Sequence, residues 1–229
     1  MIAQSGRLRP PTASFRCDVK GATFDACRET RHLEPVPAPI SVPDAVLDFW
    51  FGPLDPHGQP DAAHTRRWFE KSDAFDHEIA ERFANLHDQI VKREHEDWLD
   101  HPRDRLAYVI VLDQFSRNLF RGSPRAFASD GQALAAAAEG VARGHDRELT
   151  RDERSFLYMP FMHSESQAIH QWAESLFRED GIDEDNLKYE LRHKAIIDRF
   201  GRYPHRNEIL GRVSSAEELE FLQQPGSRF

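Results

Sequence analysis

Long apolar stretches are missing from this chain of 229 residues. No uninterrupted apolar run approaches the roughly 20 residues that a helix needs to cross a bilayer. The N-terminus also lacks the apolar core of a secretory signal. These absences argue against a membrane-spanning or exported class, so we expect a soluble protein with no membrane partner.

Cysteine is scarce, and the sequence holds only Cys17 and Cys27, both near the N-terminus. Neither a disulfide framework nor a metal cluster can be argued from them. Glycine-rich phosphate loops, nucleophile elbows and zinc-protease motifs are also missing. We therefore predict no metal site, leave the cofactor unknown and expect a location in the reducing cytoplasm.

An excess of positive charge is absent as well. Thirty Lys and Arg residues face 39 Asp and Glu residues, which gives a net charge of −9. A chain with this balance has no general electrostatic attraction for nucleic acid, so we expect no nucleic-acid partner. A net negative charge is still compatible with a local basic pocket in the folded protein.

Proline and sparse, unpatterned apolar residues mark the first 40 positions. This composition predicts a disordered N-terminal extension over residues 1–40. We expect residues 41–229 to form a single folded domain, which at this size can bury a full hydrophobic core without disulfides or metals.

The folded part shows helical periodicity throughout and no sustained alternation typical of strands. The central helix is predicted to begin at Pro102, and its stretch Leu106–Gly122 has a wide apolar face that carries several polar residues. Capping boxes are expected at Thr150 with Glu153, Ser164 with Gln167, and Ser215 with Glu218. The pattern predicts an all-α fold of antiparallel helix pairs, with an α-solenoid as one version.

The first polar grouping lies on the central helix and contains Asp113, Gln114, Arg117, Asn118 and Arg121. Asp113 and Arg117 are four residues apart and can form an ion pair along the helix. Alternatively, an arginine fork here binds a carboxylate or phosphate. Burying a charged group costs free energy unless the group is paired. Both interpretations therefore give these side chains a partner, either another side chain or a ligand.

The second grouping, His163 with Ser164 and Glu165, follows Pro160. Ser164 is interpreted as a helix cap and Glu165 as an acid of the first helical turn. His163 with a nearby carboxylate could act as a base with its orienting partner, or bind a metal, although its spacing from Glu165 and His170 matches no metal motif. His193, on an apolar helix face, is interpreted as a core histidine.

The third grouping is the segment RFGRYPHRNE. Its polar side chains exceed what the end of a helix requires: Arg202, Tyr203, His205, Arg206 and Asn207. Loops held by a rigid scaffold often carry binding residues, so we weigh a binding loop against a solvated turn.

Five segments make the chain similar to the bacterial DUF924 family. They are VLDFWFG (Val46–Gly52), RRWF (Arg66–Phe69), LDQFSRNLFRG (Leu112–Gly122), FLYMPFMHSE (Phe156–Glu165) and RFGRYPHRNEILGR (Arg199–Arg212). The resemblance implies an all-helical, tetratricopeptide-like superhelical fold, and it implies no settled activity. Because these segments contain the three polar groupings, we expect the groupings to converge on one cleft.

The leading hypothesis is a protein that binds a small anionic ligand in this cleft. The expected ligand-binding residues are Asp113, Arg117, Asn118, Arg121, Arg202, Tyr203, Arg206 and Asn207.

Two alternatives remain. One is an enzyme in which His163 or His205 is the acid/base and Glu165 or Asp113 orients it. The other is a scaffold for a peptide or protein partner, which would expose aromatic residues such as Trp50, Trp68 or Trp98 along a helical groove.

Overall fold

Helices supply all the regular structure that the computed structural model describes, which covers residues 41–179 and 181–228. The α-helices are α1 (Val42–Phe51), α2 (Ala62–Phe69), α3 (Asp73–Val91), α4 (Pro102–Ile110), α5 (Ser116–Leu119), α6 (Asp130–Arg143), α7 (Arg151–Met162), α8 (Gln167–Phe177), α9 (Glu184–Phe200) and α10 (Ala216–Phe221). The prediction of an all-α fold is confirmed. The finer, tetratricopeptide-like arrangement stays a prediction.

The central helix differs from its expected form. It begins at Pro102, as predicted, but its last α-helical residue is Leu119, short of the predicted end at Gly122. Between α4 and α5 the backbone forms a π-helical turn over Val111–Phe115. Such a turn inserts an extra residue into the helix and is frequent near functional sites. It is this turn that carries Asp113.

The hydrophobic core surrounds the central helix, which packs against α1, α3, α6 and α7. Val109, Leu112 and Phe115 have no exposed surface. Phe115 lies in an aromatic cluster, 5.7 Å from the Trp50 ring and 5.0 Å from the Phe83 ring. Each buried side chain of this size contributes about 1.5–3 kcal/mol, so the core fixes the central helix firmly.

Two of the predicted capping boxes are confirmed. Thr150 caps α7 with Glu153 as its reciprocal partner, and Ser215 caps α10 with Glu218. In each box the backbone N–H of the capping residue donates to the glutamate side chain, and in α10 the Glu218 N–H also donates to Ser215 Oγ.

The connection between α7 and α8 departs from the predicted pattern. The capping box of Ser164 with Gln167 is wrong, because α8 begins at Gln167 and its N-cap is Ser166. Glu165 therefore precedes the helix instead of lying in its first turn. Helix α7 continues through Pro160 and ends at Met162.

The described residues all belong to one packed unit. The predicted disordered extension over residues 1–40 lies outside the described residues. None of the helices in the described part of the chain combines the length and the low polarity that a membrane span requires.

Arg105 anchors the central helix to α6, which carries part of the site described below. Its side chain has no exposed surface. Nη1 donates to the Ala136 carbonyl at 2.6 Å, and Nη2 donates to the Leu99 carbonyl. Gly140 makes room for this side chain, since a Cβ there would lie 2.6 Å from Arg105 Cδ.

We predict that Arg105→Met lowers the free energy of unfolding by about 2–4 kcal/mol, because the Ala136 and Leu99 carbonyls lose the buried guanidinium as their donor. Urea unfolding followed by circular dichroism measures the change. Arg66→Met is the matched control, since the Arg66 side chain is 68% exposed and should change stability by less than about 0.5 kcal/mol. Equal stability of the two variants would contradict the anchoring role.

Candidate functional site

A cavity of about 360 Å³ lies between α6, the end of α7 and the turn after α9. Its polar lining is formed by Asp130, His163, Ser164, Glu165 and Arg206. Its apolar lining includes Phe127, Leu134, Pro160 and Leu210. A second hollow of about 410 Å³, beside Arg151 and Asp183, contains none of the predicted site residues.

Asp113 lies behind this cavity and is 1% exposed. Its Oδ1 accepts from His163 Nδ1 at 2.8 Å and lies 3.1 Å from Arg117 Nη1. Its Oδ2 accepts from Gln114 Nε2 at 2.7 Å. Burial alone would raise the pKa of Asp113, but the Arg117 and His163 side chains hold this pKa well below its usual range. Asp113 is therefore an ionised, acceptor-only group.

Arg117 bridges two carboxylates. Besides Asp113, it contacts Asp130 with two donors, Nη1 to Oδ1 at 3.0 Å and Nη2 to Oδ2 at 3.2 Å. The predicted ion pair with Asp113 is present. The alternative interpretation, a fork open to a ligand, needs correction, because Asp130 already occupies the fork.

His163 connects this buried pair to the cavity. Its side chain is 16% exposed, and Nδ1 contacts the ionised Asp113 carboxylate. Since that carboxylate only accepts, Nδ1 carries the proton. Burial and the nearby Arg117 lower the pKa of His163, so the ring is neutral at pH 7. Within the described chain, no hydrogen bond engages its Nε2.

Glu165 has a different role from the one expected. Its oxygens accept from Arg212 at 2.5 and 2.9 Å and from the Tyr203 backbone N–H at 2.8 Å. Burial would raise the pKa of Glu165, but these donors hold it below its usual value. Glu165 therefore does not orient His163. It ties the connection before α8 to the turn after α9.

Arg206 is the buried cation of the cavity wall. It is 6% exposed, and its guanidinium lies 4.6 Å from the centroids of both the Phe127 and Tyr203 rings. Its ion-pair contact is long, 3.4 Å from Nη1 to Asp130 Oδ2. Nε is buried and finds no acceptor within the part of the chain that is described.

Two of the predicted residues are held elsewhere. Asn118 Nδ2 donates to Asp76 at 2.7 Å, and Arg121 donates to the same carboxylate at 2.7 and 2.8 Å. Asp76 belongs to α3 and does not line the cavity. The expectation that Asn118 and Arg121 face the common cleft is corrected, since α3 supplies their partner.

The third grouping is also divided. Arg202 pairs with Glu218 at 2.6 and 2.8 Å, and Asn207 Nδ2 donates to Ser214 at 3.0 Å. Tyr203 is buried and donates from its hydroxyl to the Met162 carbonyl. These contacts fasten the turn that presents Arg206. They do not put Arg202, Asn207 or the Tyr203 hydroxyl in the cavity lining.

His205 also lies outside the cavity lining. Burial and the adjacent Arg206 lower the pKa of His205 to about 4. The structure therefore favours His163 over His205 as the imidazole of the site.

Asp130 and Arg212 were missed by the sequence reasoning. Asp130 is the first residue of α6, where an acid is expected simply because it favours the helix N-terminus. Arg212 lies within a family segment but beyond the third grouping. No local signal distinguishes either residue from ordinary surface charge.

The charges of the cluster are balanced. Three carboxylates, those of Asp113, Asp130 and Glu165, face three guanidinium groups, those of Arg117, Arg206 and Arg212. Burial raises the pKa of Asp130, while Arg117 and Arg206 favour its ionised form.

Among the described residues, no group of three or more His, Cys, Asp or Glu side chains is arranged to hold a metal ion.

His193 packs beside this cluster as the core histidine that its position on the helix predicts. It is 7% exposed, and Nδ1 donates to the Tyr189 carbonyl at 2.8 Å. Burial lowers the pKa of His193 to about 3.

This burial predicts a pH dependence of stability. Below the unfolded pKa of about 6.5, the unfolded chain binds a proton at His193 that the folded protein does not. The free energy of unfolding therefore decreases as the pH is lowered. Between pH 6.5 and 5 the loss from His193 alone is about 1.6 kcal/mol. Denaturant unfolding at both pH values should show a correspondingly smaller loss in His193→Gln. An unchanged pH dependence in that variant would contradict the account.

A solved structure of a protein of unknown function from Agrobacterium tumefaciens is similar to this chain. The two are 36% identical, with a TM-score of 0.71, over 79% of this chain and 96% of that one. Among proteins with curated functions, none matches.

The family comparison agrees with that likeness. The sequence profile described as a bacterial protein of unknown function (DUF924) matches residues 46–226. That range contains every residue of the cavity lining. The chain therefore belongs to the DUF924 family.

Proposed function

We propose that the cavity binds a small molecule with an anionic group, which Arg206 recognises. The observation that carries the proposal is the incomplete pairing of this guanidinium. Arg117 contacts Asp130 through two donors, and Arg212 contacts Glu165 through two donors. Arg206 has a single long contact and a buried Nε without an acceptor.

Incomplete pairing of a buried cation is costly. Burial and the repulsion from Arg117 lower the pKa of Arg206, which indicates that its positive charge is poorly compensated. A carboxylate or phosphate in the cavity that accepted from the terminal nitrogens of the guanidinium would supply the missing negative charge through a charge-assisted contact. The flanking rings of Phe127 and Tyr203 would hold the guanidinium plane in position for it.

The remaining lining limits the size and character of the ligand. A volume of about 360 Å³ lies at the small end of the range for ligand sites, which suits a metabolite rather than a polymer. Phe127, Leu134 and Leu210 offer an apolar wall opposite the charged groups. The favoured ligand therefore joins a carboxylate or phosphate to a compact apolar body.

A peptide-binding scaffold receives less support. That hypothesis relies on tryptophans exposed along a groove, but Trp50 is 2% exposed and Trp98 is 6% exposed. Trp68 Nε1 donates to the Trp50 carbonyl at 2.8 Å and packs on the same core. These side chains stabilise the fold and present little surface to a partner.

The test compares wild type with Arg206→Gln against benzoate, succinate and inorganic phosphate. We expect at least one of these anions to raise the melting temperature of the wild type in a concentration-dependent way. Loss of the charged contact should weaken binding by about 1.5–3 kcal/mol, or about 10–100-fold in Kd by calorimetry.

Arg199→Gln is the matched control, because Arg199 pairs with Glu217 at the surface with 47% of its side chain exposed. It should bind like the wild type. The proposal fails if none of the anions stabilises the wild type, or if Arg206→Gln binds them equally well.

A further inference from the structure

The Asp113–His163 pair leaves a basic nitrogen beside the proposed anion site. We propose that His163 is a general base: its Nε2 removes a proton from a water molecule that attacks a small ester bearing a carboxylate. This inference rests on the proposed function, since Arg206 would hold the carboxylate of that ester. Asp113 would act through His163, as its positioning residue.

The hydrogen bond between His163 and Asp113 fixes the form of the ring. The 2.8 Å contact holds Nδ1 against an ionised carboxylate, so the proton resides on Nδ1 and the lone pair on Nε2. The carboxylate also stabilises the imidazolium that forms when Nε2 accepts a proton. Because Asp113 is fixed in turn by Arg117 and Gln114, the ring has little freedom to rotate.

The groups around His163 keep it neutral but able to accept a proton. Asp113 and Arg117 face it from the central helix, Asp130 from α6 and the buried His193 from α9. Burial and Arg117 lower the pKa of His163, and the two carboxylates oppose them. The ring is therefore unprotonated near pH 7, as a general base must be.

Other buried imidazoles do not fit this role. Both ring nitrogens of His170 are engaged, by Glu190 at 2.7 Å and by the Ser164 carbonyl at 2.8 Å. His87 contacts Ser116 at 2.8 Å, but Ser116 has no exposed surface and neither lines the cavity. Among the residues described, His163 is the histidine of the cavity lining.

The step conserves atoms and charge. Nε2 takes a proton from water while the water oxygen forms a bond to the carbonyl carbon of the ester. The bond from that carbon to the leaving oxygen then breaks, and the imidazolium returns its proton to the leaving oxygen. The products are an acid and an alcohol or phenol, and His163 is again neutral.

The test uses two esters that differ in charge, 4-acetoxybenzoate and its uncharged analogue 4-acetoxybenzamide. We expect the wild type to hydrolyse both above the buffer rate, with a lower KM for the charged ester. His163→Gln should lower kcat at least about tenfold for both esters, the lower end of what general-base catalysis supplies. Arg206→Gln should raise KM for 4-acetoxybenzoate only.

His77→Gln serves as the matched control, because His77 is an exposed imidazole with 73% of its side chain accessible. It should retain wild-type kcat. Circular dichroism and melting temperatures establish that each variant is folded.

A pH profile and NMR report on His163 itself. The value of kcat should fall as the pH decreases through a pKa below about 6.5, where Nε2 takes a proton. Two-bond ¹H–¹⁵N spectra of the wild type at pH 7.5 should show a proton on Nδ1 and none on Nε2. In Asp113→Asn the tautomer or the kinetic pKa should shift, which a purely structural role would not produce.

The outcomes separate the two proposals. The general-base inference is overturned if the wild type does not exceed the buffer rate, if His163→Gln matches the wild type, or if Nε2 is protonated at pH 7.5. If hydrolysis depends on His163 but the two esters have equal KM in both wild type and Arg206→Gln, anion recognition by Arg206 fails instead.

Discussion

The buried carboxylate of Asp113 is the constraint on which the rest of the site depends. An isolated charge with 1% exposure would be prohibitively expensive, so the fold must surround it with donors. Arg117, Gln114 and His163 supply them, the first two from the same helix and the third from the end of α7. The hydrogen bonds and ion pair that satisfy Asp113 thereby fix the His163 imidazole and the Arg117 guanidinium. Arg117 in turn connects this pair to α6.

That network then propagates through alternating charges. Arg117 carries it to Asp130, whose second, long contact reaches Arg206 in the turn after α9. A separate pair, Glu165 with Arg212, fastens the same turn to the segment before α8. The charges of the cluster sum to zero, but its guanidinium groups differ in how well acceptors pair them. Arg206 lies between two aromatic rings and is short of acceptors. An external anion would therefore stabilise this guanidinium more than the other two.

Sequence reasoning predicted what local patterns determine. Helical periodicity gave the all-α class, and the spacing of Asp113 and Arg117 gave their ion pair, because both depend on residues within a few turns. Asn118 was assigned wrongly to the cleft. Asn118 lies beyond the π-helical turn, which the sequence pattern does not reveal, and its amide contacts Asp76 on α3. Asp130 could not be found, since its partner Arg117 is 13 residues away and only tertiary packing joins them.

A crystal structure with 4-hydroxybenzoate, the product of the charged ester, would show whether Arg206 and His163 contact the same bound molecule. We expect the ligand carboxylate within about 3 Å of the Arg206 guanidinium and the ligand hydroxyl oxygen within hydrogen-bond reach of His163 Nε2. The Asp113–His163 contact should persist in the complex. A ligand bound away from Arg206, or a His163 ring turned from Asp113 when the ligand is present, would contradict this expectation.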